Sequence, residues 1–232
     1  MILFSDTGRK EEICTPSLIE KFVDIKPYGD ITEKEAHEFW DSLFENTRDI
    51  YEATEAQLVS EVYGRSEEEF SFDFDVSDPD VQTALVAFLP DNWGKLSEVE
   101  KETIIQEFMK LLGDKLGIEQ IPLLVFYDAE PCDCGGFDPE ANTICINKDN
   151  FDDSNEVLNT VAHEIRHAYQ YQSAQNPKTY MDLLYAYNFD NYISPYMDED
   201  RYVNFIDYQD QLIEAEARAF ANLFRLESGD NE

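Results

Sequence analysis

The segment His163-Glu164-Ile165-Arg166-His167 constrains this chain most, because it holds two of the only three histidines among 232 residues. On an α-helix, residues i and i+4 lie one above the other on the same face, so these two imidazoles point the same way. Two imidazoles with this spacing can bind one Zn²⁺, and the intervening glutamate can reach a water molecule at the metal. The motif therefore predicts a helix that carries a zinc site, with Glu164 as a general base.

The residues around the motif also favour a single helix, from about position 153 to 172. Asp153 is a suitable N-cap, Glu156 stands at the capping-box position, and no proline or glycine interrupts the segment. The two histidines fall nearly opposite an apolar stripe, whereas a histidine that merely filled the core would lie within it. A solvated polar face without a ligand would leave the histidine spacing unexplained. The stripe consists of Val157, Leu158, Val161, Ala162, Ile165 and Ala168.

A catalytic zinc ion usually has three protein ligands, so the two histidines need a third partner. Metzincins supply a later histidine in H-E-x-x-H-x-x-G-x-x-H, but here Gln170 and Ser173 occupy the glycine and histidine positions. This class is therefore excluded. The remaining histidine, His37, lies far upstream, which makes a carboxylate the natural third ligand.

A segment of strong helix formers near the end of the chain, residues 211–221, contains the pattern E-x-x-A followed by F-A. Together with the H-E-x-x-H helix, it resembles the gluzincin group of zinc peptidases, in particular its minimal members. The resemblance implies that Glu214 is the third zinc ligand and that Ala217 allows the two helices to approach closely. Family members often have Asp or Asn four residues after this ligand, whereas this chain has Arg218.

Glu216 is the alternative third ligand. It projects near the centre of an apolar face, where a carboxylate needs zinc, Arg166 or another donor to offset the cost of burial. Glu214 lies across the helix from this face, as the two histidines do on their own helix, and it is the favoured candidate. Both glutamates could instead lie on a solvated acidic surface. The apolar face consists of Leu212, Ile213, Phe220, Leu223 and Phe224.

The resemblance extends over roughly residues 93–226 and implies an α+β fold class. We expect a zincin-like catalytic domain at residues 91–232, with a small mixed sheet, the H-E-x-x-H helix and a C-terminal glutamate helix. A mostly helical region of unknown role is expected at residues 1–90. The H-E-x-x-H helix and the hairpin before it also look like metallopeptidase domains of bacterial secreted toxins and phage-related proteins.

Local patterns predict the elements of the N-terminal region. Residues 33–63 are expected to form a long helix. Residues 70–76 alternate Phe or Val with Ser or Asp, which is typical of a strand. Residues 81–89 are apolar and short, so they could form a helix or a strand.

The elements that precede the zinc helix have clearer signals. A helix is expected from Ser97 to Leu116, capped by Ser97 and ended by Gly117, with Val99 and Phe108 on its buried face. Residues 121–127 should form a buried strand. Residues 135–138 and 143–147 should form a hairpin, whose second strand could lie at a sheet edge and pair with an extended substrate. Ordinary packing of that strand within the sheet is the alternative.

The net charge of −34 limits the partners of this protein. Such a surface repels phosphate backbones and anionic lipids, so neither nucleic acid nor membrane is expected as a partner, and basic peptides are attracted. No stretch approaches the roughly 20 apolar residues of a membrane span, and the N-terminus does not resemble a signal peptide. A cytoplasmic location is the default, with export by a route without a cleaved signal as the alternative.

The four cysteines, at positions 14, 132, 134 and 145, leave several possibilities open. Cys132 and Cys134 could belong to a second metal site, but they lack the paired C-x-x-C spacing of structural zinc sites. Free thiols are favoured in a reducing compartment. In an oxidising compartment, Cys145 could form a disulfide with Cys132 or Cys134.

The motif and the resemblance together predict a zinc metalloendopeptidase that acts on peptides or proteins, with Tyr208 or Arg166 as candidate oxyanion donors. The aromatic segment 180–202 could line the cleft or simply pack against the core. One alternative is a non-catalytic acidic protein that mimics nucleic acid on a retained zincin-like scaffold. Another is a regulator that cleaves one specific protein, such as a repressor.

Overall fold

The computed structural model describes residues 55–128, 134–198 and 201–226, which form an α+β structure that is mostly helical. Its sheets comprise a three-stranded mixed sheet and a two-stranded hairpin. The helices are α1 Glu55–Val62, α2 Pro79–Phe88, α3 Pro90–Trp93, α4 Glu98–Leu116, α5 Ser154–Gln175, α6 Tyr180–Asp190, α7 Phe205–Gln209 and α8 Leu212–Ala221. The strands are β1 Leu123–Tyr127, β2 Gly135–Asp138, β3 Thr143–Asn147, β4 Met197–Asp198 and β5 Arg201–Tyr202, and 3-10 turns span Glu67–Glu69, Lys148–Asn150 and Asn222–Phe224.

Helix α5 carries the H-E-x-x-H motif and lies at the centre of the fold. Its N-cap, Asp153, accepts hydrogen bonds from the backbone N–H groups of Asn155 and Glu156, as the sequence predicts. The predicted apolar stripe is buried, and α5 packs against α4, α6, α8 and the three-stranded sheet. Because neighbours surround this helix, the position of the motif is set by packing on several sides.

Helix α4 begins and ends where the sequence predicts. Ser97 and Glu100 form a capping box at its N-terminus, and Gly117 ends it in the left-handed conformation with φ 73°. Phe108 belongs to the buried face, whereas Val99 is 70% exposed. The predicted burial of Val99 is therefore wrong, because the first turn of α4 extends beyond the core.

The three-stranded sheet has the order β1-β3-β2, with β1 parallel and β2 antiparallel to β3. The predicted hairpin is confirmed, with Phe137 opposite Ile144. Strand β3 was expected as a candidate edge, but it is central and has neighbours on both sides. Strand β1 was expected to be buried, but it is an edge strand whose Leu123 is 70% exposed and Val125 44% exposed.

Residues 70–76 do not form the predicted strand, and they have no strand partner among the described residues. The alternation of burial is nevertheless real, because the apolar side chains turn inward and Asp73 and Asp75 face solvent. Phe72 and Phe74 each make an edge-to-face contact with Phe220 of α8, at centroid distances of 5.4 Å and 5.3 Å. A period of two therefore predicts an extended backbone here but not its pairing.

The buried apolar side chains form two clusters. The larger one joins Val81 and Phe88 of α2 to α4, β3, α5 and the end of α8. The smaller one joins Leu58 and Val62 of α1 to α6 and the start of α8. Residues 55–88 thus share their cores with later elements, and the division near residue 90 stays a prediction. The helix predicted at 33–63 is observed from Glu55 onward, and the rest of it lies outside the described residues.

In the part of the chain that the structure describes, no helix has both the length and the apolar character needed to cross a bilayer.

We expect Phe220→Ala to lower the free energy of unfolding by about 3–5 kcal/mol, because it leaves a cavity among buried aromatic rings. The Phe220 side chain is fully buried, and it contacts Phe72, Phe74 and Phe224. Urea denaturation followed by circular dichroism measures the change. Leu223→Ala, three residues later and 37% exposed, serves as the control and should cost less than about 1 kcal/mol. Equal losses for the two variants would contradict the described packing.

Candidate metal centre

The two histidines of the motif converge on one point. His163 and His167 stand one turn apart on α5, their ring centroids are 4.5 Å apart, and the rings are nearly perpendicular. Their Nε2 atoms lie 2.9 Å from each other. Two ring nitrogens at this separation can share a proton or bind the same cation.

Helix α8 brings Glu214 to the same point. One carboxylate oxygen lies 3.4 Å from Nε2 of His163, and the other lies 3.5 Å from Nε2 of His167. In a tetrahedral zinc site, metal–ligand bonds of about 2.0–2.1 Å place neighbouring ligand atoms about 3.3 Å apart. The spacing of the three side chains is therefore close to that of a metal site. Among the described residues, these three form the group suited to hold a metal ion.

The carboxylate of Glu214 supplies an independent test of the fit. Glu214 is only 2% exposed, and its Oε2 atom is buried without a hydrogen-bond partner. Burying a carboxylate oxygen without a partner is costly, and a cation between the three side chains would remove that cost. Two imidazole nitrogens and one carboxylate oxygen suit Zn²⁺ and several other transition metals, so the ligand set alone does not identify the metal.

The other candidate ligand, Glu216, lies away from the histidines. Its Oε1 atom accepts hydrogen bonds from Arg166 at 2.6 Å and from the Tyr185 hydroxyl at 2.7 Å. Its Oε2 atom accepts one from Gln170 at 2.7 Å. Arg166 is thus one of the partners that the sequence suggested for Glu216. Both carboxylate oxygens of Glu216 accept hydrogen bonds.

Arg166 and Arg218 both form ion pairs with glutamates other than Glu214. Besides its ion pair with Glu216, the Arg166 guanidinium lies over the rings of Phe72, Tyr169 and Phe220. It is buried in this packing, which does not support its suggested role as an oxyanion donor. Arg218, four residues after Glu214, bonds to Glu67 and to the carbonyl oxygen of Gln209.

Glu164 lies beside the two histidines and is also buried. Its carboxylate accepts a hydrogen bond from the backbone N–H of Phe137 on strand β2. Burial raises the pKa of Glu164 above its ordinary value, although the nearby histidines oppose this shift. A carboxylate with a raised pKa accepts a proton more readily than an ordinary one, as a general base must.

Two tyrosine hydroxyls complete the surroundings of Glu214. The Tyr192 hydroxyl lies 2.8 Å from Oε1, and Tyr208 also hydrogen-bonds to this carboxylate. Burial, followed by the negative charge of Glu214, raises the pKa of both tyrosines. Both therefore remain protonated at neutral pH and act as donors.

Sequence reasoning suggested Tyr208 but did not single out Tyr192. With 13 tyrosines in the chain, no pattern distinguished it. Its segment, residues 180–202, was expected either to line the cleft or to pack against the core; packing of α6 is observed, and a role in a cleft stays a prediction. Leu183, Leu184 and Tyr185 of α6 pack in the smaller core cluster, whereas the Tyr192 hydroxyl donates to Glu214.

The cysteines within the described residues lie apart from the three candidate ligands. The Cys134 thiol donates to Glu156 of α5, at 3.1 Å. Cys145 lies opposite Gly136 in the hairpin rather than opposite Cys134. Cys14 and Cys132 lie outside the described residues, so a metal site or a disulfide that involves them stays a prediction.

Compared with known protein families, curated proteins and solved structures, this chain matches none of them.

The position of β2 over α5 depends on a glycine. A Cβ atom at Gly135 would lie 2.5 Å from the Cys145 carbonyl oxygen and 2.9 Å from Thr160 of α5. We expect Gly135→Ala to push β2 away from α5, weaken the contact between Phe137 and Glu164, and lower the melting temperature by several degrees. Gly136→Ala is the matched control, because a Cβ atom there would meet nothing within 4 Å. Thermal unfolding that is unchanged in both variants would show that β2 does not pack in this way.

The charges of the triad make the stability of the metal-free protein depend on pH. Burial alone would lower the pKa of His167, but Glu214 raises it to about 9. Burial alone would raise the pKa of Glu214, but the two histidines hold it well below its ordinary value. The pair is therefore charged between these limits. Its contribution to stability is complete below the ordinary histidine pKa of about 6.5, and it is lost progressively as the pH rises from there through about 9.

In the presence of a chelator, Glu214→Gln should thus be less stable than the wild type at pH 7, since it leaves a buried imidazolium without its counter-ion. The difference in melting temperature should shrink above about pH 9, where His167 of the wild type becomes neutral. Differential scanning calorimetry across this pH range measures it. A difference that stays constant with pH would argue against the ion pair.

Proposed function

We propose that this protein is a zinc-dependent metallopeptidase with a zincin-like catalytic domain of the gluzincin type. The observation that carries the proposal is the convergence of His163, His167 and Glu214 from two helices, with Glu164 beside them. Chance alone would not explain why the two candidate ligands predicted from the motif meet the carboxylate that the resemblance selects. The unpartnered oxygen of Glu214 further supports a bound cation.

When bound, zinc would lower the pKa of water and polarise the scissile carbonyl group, which makes hydrolysis feasible at neutral pH. Glu164 would accept a proton from the attacking water and deliver it to the departing amine nitrogen. Its raised pKa suits this exchange, because the carboxyl group must be deprotonated before attack and protonated afterwards. The Phe137 N–H would hold the carboxylate in place.

Tyr192 and Tyr208 are the donors that we assign to the developing oxyanion. Both hydroxyls lie at Glu214 and remain protonated, and with substrate bound either one would turn from Glu214 to donate its hydrogen to the carbonyl oxygen of a peptide. They take the place of Arg166, whose guanidinium is buried against aromatic rings and paired with Glu216.

An extended peptide would pair with strand β2 rather than with β3. Strand β2 is bonded to β3 on one side only, and its other edge has no strand partner among the described residues. It also contacts Glu164 directly through Phe137, so a substrate along this edge would pass the general base. The net charge of −34 favours substrates with basic residues.

The strongly acidic composition also supports a second candidate function, a non-catalytic protein that occupies a basic partner. The two functions differ in their dependence on metal. Binding of a basic partner through surface charge would weaken with salt but would not respond to a chelator. Cleavage of one specific basic protein would combine the metal dependence of a peptidase with a narrow range of substrates.

We expect the purified protein to contain about one zinc ion per chain by elemental analysis, and His163→Ala and Glu214→Gln to lose it. Glu164→Gln should retain the zinc but reduce peptide cleavage by about 10²–10⁴-fold, because the general base is lost. Cleavage of a mixture of synthetic peptides, followed by mass spectrometry, provides the activity measurement.

Glu156→Gln is the matched control, because it removes the same charge from an exposed position two turns earlier on α5. It should retain both zinc and cleavage. A wild-type protein without stoichiometric metal, or cleavage that survives Glu164→Gln, would refute the proposed function.

A further inference from the structure

A chain of buried hydrogen bonds connects an ion pair in the core to one of the candidate metal ligands. Arg166 bonds to Glu216, Glu216 bonds to Gln170, and Gln170 bonds to Nδ1 of His167 at 2.8 Å. All four side chains are buried. Apart from His167, none of these groups has a role in the hydrolytic scheme, although two of them lie within or just after the motif.

The partners of Gln170 determine which way its amide points. Its Nε2 atom faces the carbonyl oxygen of Ile213 at 3.0 Å and Oε2 of Glu216 at 2.7 Å. A backbone carbonyl and a carboxylate can only accept hydrogen bonds, so the NH₂ group of Gln170 must lie on their side. The oxygen of Gln170 is therefore the atom that faces His167.

The orientation of Gln170 in turn determines the tautomer of His167. An amide oxygen can only accept a hydrogen bond. Nδ1 of His167 must therefore carry the hydrogen and donate it to the oxygen of Gln170. The lone pair of the neutral ring is then on Nε2, which faces His163 and Glu214. The opposite tautomer would place a proton on Nε2 and prevent it from binding a metal.

Glu216 keeps this chain from reversing. Its Oε1 atom accepts from Arg166 at 2.6 Å and from Tyr185 at 2.7 Å, which leaves Oε2 for Gln170. A carboxylate has no hydrogen to donate, so it cannot offer Gln170 the opposite polarity. The guanidinium of Arg166 offsets the cost of burying this charge.

We propose that Gln170 is a positioning residue that holds His167 in its metal-binding tautomer, and that Glu216, paired with Arg166, fixes the orientation of Gln170. This inference rests on the proposed metal site. It explains why a second glutamate is buried two residues after the candidate ligand without contacting the histidines. It also assigns a function to the arginine inside the H-E-x-x-H motif.

Two substitutions test the chain at different points. Gln170→Met keeps the approximate volume of the side chain but removes the acceptor for His167. Glu216→Gln keeps nearly the same shape, but the new side chain has an NH₂ group in place of one oxygen. This NH₂ group would face Arg166 or Gln170, which are themselves donors, unless one of the two amides turns over. Gln170 then loses its enforced orientation, and both tautomers of His167 become accessible.

Glu67→Gln is the matched control. Glu67 also forms an ion pair with helix α8, through the partly exposed Arg218, and it accepts a hydrogen bond from Asn222. The substitution removes the same charge but leaves the chain from Arg166 to His167 intact. It therefore measures how the loss of a carboxylate that contacts α8 changes zinc affinity when those hydrogen bonds remain.

The measurements are zinc affinity, by competition with a chromophoric chelator, and nuclear magnetic resonance of the ¹⁵N-labelled imidazoles in the zinc-loaded protein. For the wild type we expect a protected Nδ1–H signal from His167. Gln170→Met should lose this protection and bind zinc about 10–100-fold more weakly, the usual range for residues that support a metal ligand. Glu216→Gln should weaken binding in the same direction, and Glu67→Gln should leave zinc affinity unchanged.

The outcomes separate this inference from the proposed function. If the wild type binds one zinc and both test variants bind it equally well, Gln170 does not position His167, and the peptidase proposal stands. A loss of thermal stability without a change in zinc affinity would likewise contradict the inference, because the hydrogen bonds from Arg166 to His167 would then serve packing alone. If the wild type binds no zinc, the metal site and this inference fail together. If Gln170→Met does not fold, Glu216→Gln decides between these results.

Discussion

The contact between helices α5 and α8 depends on what happens to two carboxylates buried between them. Glu214 and Glu216 stand two positions apart on α8 and are both almost fully shielded from water. A buried carboxylate destabilises a fold unless cations or hydrogen-bond donors surround it. Four polar side chains of α5 each face one of these carboxylates: His163, Arg166, His167 and Gln170. The chemistry that we propose for the protein arises because Glu214 and Glu216 have different partners.

Glu216 is fully satisfied by side chains of the protein. An arginine, a tyrosine and a glutamine donate to its two oxygens, and the resulting cluster behaves as a fixed part of the core. Glu214 is satisfied only on one side. The Tyr192 hydroxyl donates to Oε1, whereas Oε2 faces His163 at 3.4 Å and has no hydrogen-bond partner. Both oxygens of Glu216 have hydrogen-bond donors, as in a structural ion pair, whereas one oxygen of Glu214 has none. This difference is why we propose a binding site at Glu214 and not at Glu216.

The rest of the fold holds these two helices and the sheet in place around the site. Phe72 and Phe74, from the extended segment 70–76, pack on Phe220 at the end of α8. On the other side of α5, Gly135 lets strand β2 approach closely enough for Phe137 to bond to Glu164. The strongly negative surface has no comparable role in positioning the site. It acts at longer range, on which molecules approach the protein.

The sequence alone was sufficient for features that depend on neighbouring residues. Short-range spacing predicts the capping residues of α4 and α5, the hairpin, and the common face of His163 and His167. The resemblance of two motifs predicts that Glu214, rather than Glu216, lies beside the histidines. Only the tertiary structure decided which strand was central, because apolar character does not reveal the neighbours of a strand. It also decided that the 70–76 segment has no strand partner within the described ranges, that Arg166 neutralises Glu216, and that Tyr192 reaches Glu214. These outcomes depend on contacts between residues far apart in the chain, and local periodicity carries no information about which distant groups will meet.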